Sequence, residues 1–402
     1  MKNNKKPHKK SRPNLLILIV IAIAAGIGAG LVAPDWLVRC FLTFNGVFGE
    51  FLGFVIPLLI VGFVAPAIAD IGLRAGRMLV VTALIAYLMT FGSGMLSYFT
   101  ASTTFPSLIG ADGFIAAETS AESLAPFFNI EIEPLMNVMT ALVLAFVLGL
   151  GTACLSTTAL KRGLDDFRSI IALVINKVII PLLPVYIFGI FMSMTSAGHV
   201  GPILSTFARI IVIIFILHVV LLVLQYCIAA VFARNNPFKA LWSMMPAYFT
   251  ALGTQSSAAT IPVTLERTVA MGVNRDIAGF VVPLCATIHM SGSTMKIVAC
   301  AMAIMITHGM PYDAPMFAGF IAMLGISIIA APGVPGGAIM ASRGVLSAML
   351  GFSDTDNALM IALYIAMDSF GTACNVTGDG AIALIVNRIY GNKKEKPDLH
   401  IS

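Results

Sequence analysis

From Leu15 onward the chain is one apolar stretch after another, and several exceed the roughly 20 residues that a helix needs to cross a hydrocarbon core. Backbone N–H and C=O groups in lipid find no water, so such stretches must satisfy their own hydrogen bonds as helices. Composition points the same way: 58% of residues are hydrophobic and 11% charged, against about 25% charged in soluble domains. Spans read at 15–34, 47–69, 78–99, 135–160, 169–195 and 202–233. The fold class is an all-α membrane protein embedded in a lipid bilayer.

Charge placement orients the spans. The block 1–14 carries Lys2, Lys5, Lys6, Lys9, Lys10 and Arg12 and reads as a cytoplasmic basic tail. The apolar run behind it is too long for a signal-peptide core and has no clear cleavage site, so it reads as a retained first helix. Arg74 and Arg77, then Lys161, Arg162 and Arg168, then Arg234 and Lys239 fall between later spans on the same side. The loop 100–134 has no Lys or Arg but holds Asp112, Glu118, Glu122, Glu131 and Glu133. Basic loops stay inside, so the multi-pass chain is expected in the inner or plasma membrane. Arg388, Lys393, Lys394 and Lys396 put the C-terminal tail, 391–402, inside as well. The net charge of +5 belongs to these loops and tails, and nucleic acid is not an expected partner. The six cysteines lie in or beside apolar segments without CxxC spacing, which implies neither a disulfide framework nor a transition-metal site.

Beyond Asn236 the simple helices stop. Two pairs of short apolar arms, 237–266 and 311–350, are joined by tips that a lipid-facing helix would not tolerate. The first tip is Gln255-Ser256-Ser257-Ala258-Ala259-Thr260-Ile261-Pro262; the second runs Ala330-Ala331-Pro332-Gly333-Val334-Pro335-Gly336-Gly337. Prolines and glycines free backbone groups, and at membrane depth these must be buried or line a cavity. Each hairpin precedes a further span, 276–307 and 355–390, so hairpin-then-helix occurs twice, entering from opposite sides. Broken segments at matching places in two inverted halves point to a transporter's midplane site. Eight full crossings plus two re-entrant hairpins account for the chain.

The last span places Asp368, Thr372, Asn375 and Asp379 at spacings of four, three and four, on one helical face. A carboxylate at a helix centre costs about 2.5 to 3.5 kcal/mol to insert, which points to a solute or ion role. The two carboxylates stand about 16 Å apart on one helix, so they cannot face each other as a protease dyad. With no grouped nucleophile, base and oxyanion donor, the chain reads as a non-enzyme without an organic cofactor. The span 276–307 is interrupted by Cys285-Ala286-Thr287-Ile288-His289-Met290-Ser291-Gly292-Ser293-Thr294, an unwound stretch whose carbonyls suit Na⁺. His289 is a candidate proton carrier, since histidine changes charge near neutral pH. Lys296 reads as an internal counter-charge for Asp368 or Asp379.

Four features in this order resemble the dicarboxylate/amino acid:cation symporters: Ser256–Thr264 (SSAATIPVT), the broken seventh helix, Pro332–Gly337 (PGVPGG) and Asn375–Asp379 (NVTGD). The resemblance covers nearly the whole chain and implies a homotrimer with an elevator mechanism. Its scaffold would be 15–69 and 135–195, its moving transport domain 78–99 and 202–390. The same resemblance implies that Asp368 holds a substrate amino group and Thr372 and Asn375 its polar parts. Ser257 and the rest of the first tip, Ser256 and Ala258, would hold its carboxylate, Ser293 would bind substrate as well, and Val334 and Gly337 would form a lid. One sodium site would combine Asp379 with carbonyls of Cys285, His289 and Asn375. A second would combine Thr287 and Met290 with carbonyls near Ile328, Ile329 and Ala331.

Departures from the family pattern narrow the substrate. The usual NMDGT reads His289-Met290-Ser291-Gly292-Ser293 here, which removes an Asn and a sodium-coordinating Asp and argues against a third sodium site. Gly371 stands where acidic-substrate members carry arginine, and Gln255 where some carry a second. Without a bidentate clamp for a side-chain carboxylate, a neutral amino acid is favoured, moved with Na⁺, H⁺ or both. Acidic amino acids, dicarboxylates and cystine are the alternatives, Lys296 or Arg343 being other sources of positive charge. A channel or non-transporting solute sensor is the competing class.

Overall fold

The computed structural model describes residues 15–71, 77–109, 124–155, 158–196, 200–329 and 336–391. Among them every regular element is a helix. The first set comprises α1 (Leu15–Gly30), α2 (Asp35–Ile71), α3 (Arg77–Ile109), α4 (Val138–Cys154), α5 (Ala159–Val174), α6 (Ile180–Ser196) and α7 (Val200–Ala233). A π-helical turn, Ile175–Ile179, joins α5 to α6. These run longer than the expected spans at several ends, because polar and small residues such as Ser102 and Thr103 bond back to their own helix and keep α3 going to Ile109.

The second set is made of short pieces. The first hairpin is α8 (Pro237–Ser243), α9 (Met245–Thr254) and α10 (Ser257–Ala270). Asn236 caps α8 by accepting the Lys239 N–H at 3.0 Å, and Asn274 caps α11 (Arg275–Ile288) through the Asp276 N–H at 2.8 Å. After the break at His289 and Met290 comes α12 (Ser291–Thr307). The second hairpin is α13 (Ala314–Ile329) and α14 (Gly337–Leu350). Most of its tip, including Ala331 and Val334, lies outside the described residues.

The final span departs from expectation. Instead of one helix over 355–390 there are two, α15 (Asp354–Ala366) and α16 (Asp368–Tyr390), bent by 63°. Ser353 and Asp356 form a reciprocal capping box that starts α15. Met367 leaves helical geometry at φ −111°, and its carbonyl also meets Lys296 Nζ at 3.4 Å. The bend is therefore held by a tertiary contact, with no proline or glycine at the joint. Both hairpin-then-helix units thus end in a broken span.

Among the described residues five helices or helix pairs are long and apolar enough to cross a membrane, and α15 with α16 makes a sixth. The shorter apolar stretches Ile17–Gly30 and Val143–Cys154 lie in α1 and α4. Helices α1, α2, α4, α5 and α6 pack on one another, while α3, α7 and the hairpins pack around α12 and α16. In α12 every residue from Ser291 to Ile306 is buried, and a helix buried all round marks the centre of a bundle. There α12 and α16 approach so closely that a Cβ on Gly292 would stand 2.7 Å from the Gly371 carbonyl.

Candidate functional site

Four helix starts, those of α10, α12, α14 and α16, converge on one small cavity. Helix α9 stops because Gln255 turns left-handed at φ 53°; Ser256 then accepts the Ala259 N–H at 3.3 Å and opens α10. The Gln255 amide donates to Ser369 Oγ at 2.8 Å, tying this tip to the first turn of α16. Helix α12 begins after Met290 with no cap from its own chain segment. Its first N–H groups are met from α16 instead: Asn375 Oδ1 accepts from Gly292 N at 2.8 Å and Ser293 N at 3.4 Å. The same amide donates to Ser293 Oγ at 3.1 Å, so Asn375 fixes where the break ends.

Asp368 stands at the first turn of α16 and faces a second helix start, since its Oδ2 accepts the Gly336 N–H at the head of α14 at 2.8 Å. Helix N-termini favour negative charge. Gly336 sits at φ 78°, where a side chain would be strained. The other carboxylate oxygen, Oδ1, receives Lys296 Nζ at 2.9 Å. Lys296 is wholly buried, with its ammonium 3.5 Å from the centre of the Tyr364 ring. Two turns away a second buried pair forms: His289 Nδ1 lies 2.9 Å from Asp379 Oδ1. Behind it Gln225 of α7 approaches His289 Nε2 at 3.5 Å and donates to Ser291 Oγ at 2.9 Å.

The cavity has a volume of about 90 Å³. One water needs on the order of 10–15 Å³ of such space, so the room suits a small solute. Of the sequence-predicted residues, Ser256, Ser257, Ala258, Thr287, Met290, Ser293, Gly337, Asp368, Thr372 and Asn375 line it. Cys285, His289 and Asp379 lie apart from the lining. The Cys285 carbonyl accepts the His289 N–H at 2.9 Å, and the Asp379 carboxylate meets the imidazole ring. Ile328 and Ile329 end α13, where the last carbonyls of a helix lack intrahelical partners. Arg343 is not near the cavity; it pairs with Asp354.

Sequence reasoning missed two participants. Tyr364 lines the cavity and donates to Ser293 Oγ at 3.0 Å; it precedes Asp368 by one helical turn in sequence. Gln225 is a lone amide in the apolar run of α7, a signal of the kind that marks an intramembrane partner.

Comparison with known proteins agrees with this architecture. The model of the sodium:dicarboxylate symporter family matches residues 15–389. The chain is 28% identical over 390 residues to a serine/threonine transporter, SstT, of Acinetobacter baumannii strain AYE, covering 92% of this chain and 95% of that one. The counterpart from strain ATCC 17978 is similar to the same extent. A non-enzymatic, multi-pass membrane chain with a buried polar cavity between two broken helices is accounted for as a whole: it belongs to the sodium:dicarboxylate symporter family.

Proposed function

We propose that the protein is a cation-coupled symporter of a small neutral amino acid, with serine and threonine as the first candidates. The observation that carries this reading is the lining of the cavity: Ser256, Ser257, Thr287, Ser293, Thr372 and Asn375 offer hydroxyls and amides, with Asp368 as the one charged side chain. Such groups match the hydroxyl, carboxylate and ammonium of a small polar zwitterion. None of them supplies the fixed bidentate cation that a second carboxylate favours. The similar transporters named for serine and threonine support the same substrate class.

In this reading the hairpins, α3, α7, α11, α12, α15 and α16 move as one body against α1, α2, α4, α5 and α6, within a homotrimer whose termini are cytoplasmic. Val334 and Gly337 act as the lid. The coupling ion is Na⁺, H⁺ or both. A Na⁺ at Asp379 has to share the carboxylate with the His289 imidazole, whereas Thr287, Met290 and the carbonyls at the end of α13 carry no such competitor.

The test is uptake of radiolabelled serine, threonine, aspartate, glutamate and cystine into proteoliposomes under an imposed Na⁺ gradient and, separately, an imposed pH gradient. Saturable, gradient-driven uptake of serine or threonine is the expected result. Non-saturating flux would replace symport with a channel, and uptake confined to aspartate or glutamate would replace the substrate class.

A further inference from the structure

The charge of the cavity is set by a residue that does not line it. Lys296 has no exposed surface. Its ammonium has three N–H groups and three neighbours to receive them: Asp368 Oδ1 at 2.9 Å, the Met367 carbonyl at 3.4 Å and the face of Tyr364 at 3.5 Å. The seat exists because Gly371 has no side chain. A Cβ there would stand 2.7 Å from Nζ and 2.8 Å from Cε of Lys296. The lysine is long enough to reach Asp368 only by lying across that glycine.

We propose that Lys296 is the charge-setting residue of the transport site: a resident ammonium that cancels Asp368 and restricts the solute to species without net charge. Among the described residues Asp368 is the only charged side chain that lines the cavity, so the site with its tethered cation sums to zero. In a membrane-embedded pocket a solute charge without a counter-charge is heavily penalised. A zwitterion brings none. A dicarboxylate or an acidic amino acid brings negative charge for which Lys296 is already committed, and a cationic solute brings positive charge to a carboxylate already satisfied. Lys296 acts through Asp368 and is a positioning residue; it touches no solute itself. This inference rests on the small-zwitterion reading above and assigns its charge selectivity to one pair.

Three probes of similar size separate the effect of charge from that of fold: L-serine with no net charge, L-serinamide as a cation and L-aspartate as an anion. They are offered to wild type, Lys296→Met, Asp368→Asn and the double variant in proteoliposomes, each first checked for monodispersity in detergent. Wild type takes serine ahead of both others. Lys296→Met leaves Asp368 unopposed, and the serinamide-to-serine ratio rises by at least about tenfold, the effect of roughly 1.4 kcal/mol. Asp368→Asn leaves Lys296 unopposed and moves the order toward aspartate. The double variant, neutral again, returns serine to first place over both charged probes. Gly371→Ala keeps both charges but crowds the seat, and lowers serine uptake without reversing the order. A merely structural lysine would lower all three probes together.

Unchanged probe order in both single variants, or a double variant with the preference of either single one, overturns the inference while leaving the substrate class standing. A wild type that takes up none of the three probes overturns the substrate reading and the charge rule with it. Should Lys296→Met fail to assemble, Lys296→Gln carries the same comparison, and an unchanged probe order in it is equally fatal.

Discussion

Two buried pairs, each a basic side chain against an acidic one, stand side by side in the centre of this protein, and they are built alike. Lys296 and His289 both come from the broken span α11–α12, seven residues apart, and their partners Asp368 and Asp379 both come from α16. Each basic side chain is seated against a glycine of α16. A Cβ on Gly371 would strike Lys296 Nζ at 2.7 Å, and one on Gly378 would strike His289 Cε1 at 2.6 Å. The glycines too are seven apart, two helical turns, with the order reversed between the strands of the pairing. The pairs differ in what surrounds them. Asp368 reaches the cavity, and its partner is a lysine. Asp379 is 1% exposed and away from the cavity, and its partner is an imidazole held in turn by Gln225. One pair stands at the cavity lining, the other in a polar chain behind it.

The sharpest way to break the likeness is to neutralise one partner of each pair. Lys296→Met leaves a buried carboxylate alone and is expected to cost about 3–5 kcal/mol in unfolding measured in detergent, most of it recovered by adding Asp368→Asn. Asp379→Asn is expected to cost less, about 1–3 kcal/mol, because the amide still offers an oxygen to His289 Nδ1. Its larger consequence is functional: uptake loses much of its dependence on the coupling cation, read as a flattened Na⁺ or pH response with the solute preference intact. Gly378→Ala, which crowds His289 and the Gln225 amide, should cost about 1–3 kcal/mol by overpacking. Comparing its thermal shift with that of Gly371→Ala tells which seat is tighter. The smallest effect is expected of Asn375→Ala, about 1 kcal/mol, the usual worth of a helix cap, seen as a modest drop in Tm together with weaker solute uptake.

Much of this was legible in the sequence because it rests on short-range chemistry. The tip at Gln255–Pro262 announces itself by a run of hydroxyl residues within an apolar chain, and α10 does open on the Ser256 cap. The spacing of Asp368, Thr372, Asn375 and Asp379 holds because all four lie within α16. Lys296 was readable as a counter-charge because a lone lysine in a buried helix demands one. The bend at Met367 was not readable. No proline or glycine stands there, and the Met367 carbonyl at the joint also meets Lys296, 71 residues away in sequence. The glycine seats were invisible for the same reason, since what a missing side chain makes room for depends on which helix packs against it. Tyr364 and Asn375 likewise acquire their roles across helices: one reaches Ser293, the other caps α12 from outside.

The separation of Lys296 from Asp368 by 72 residues also shapes how the protein is made. At roughly 5–20 residues per second, the ribosome delivers the lysine to the membrane several seconds before it delivers the aspartate. During that interval the span carrying Lys296 bears an insertion penalty of about 2.5–3.5 kcal/mol with no partner yet synthesised, and the side chain has to snorkel toward an interface. The nascent chain is thus incomplete until its last span arrives, and a fault in α16 would surface first as a shortage of protein in the membrane.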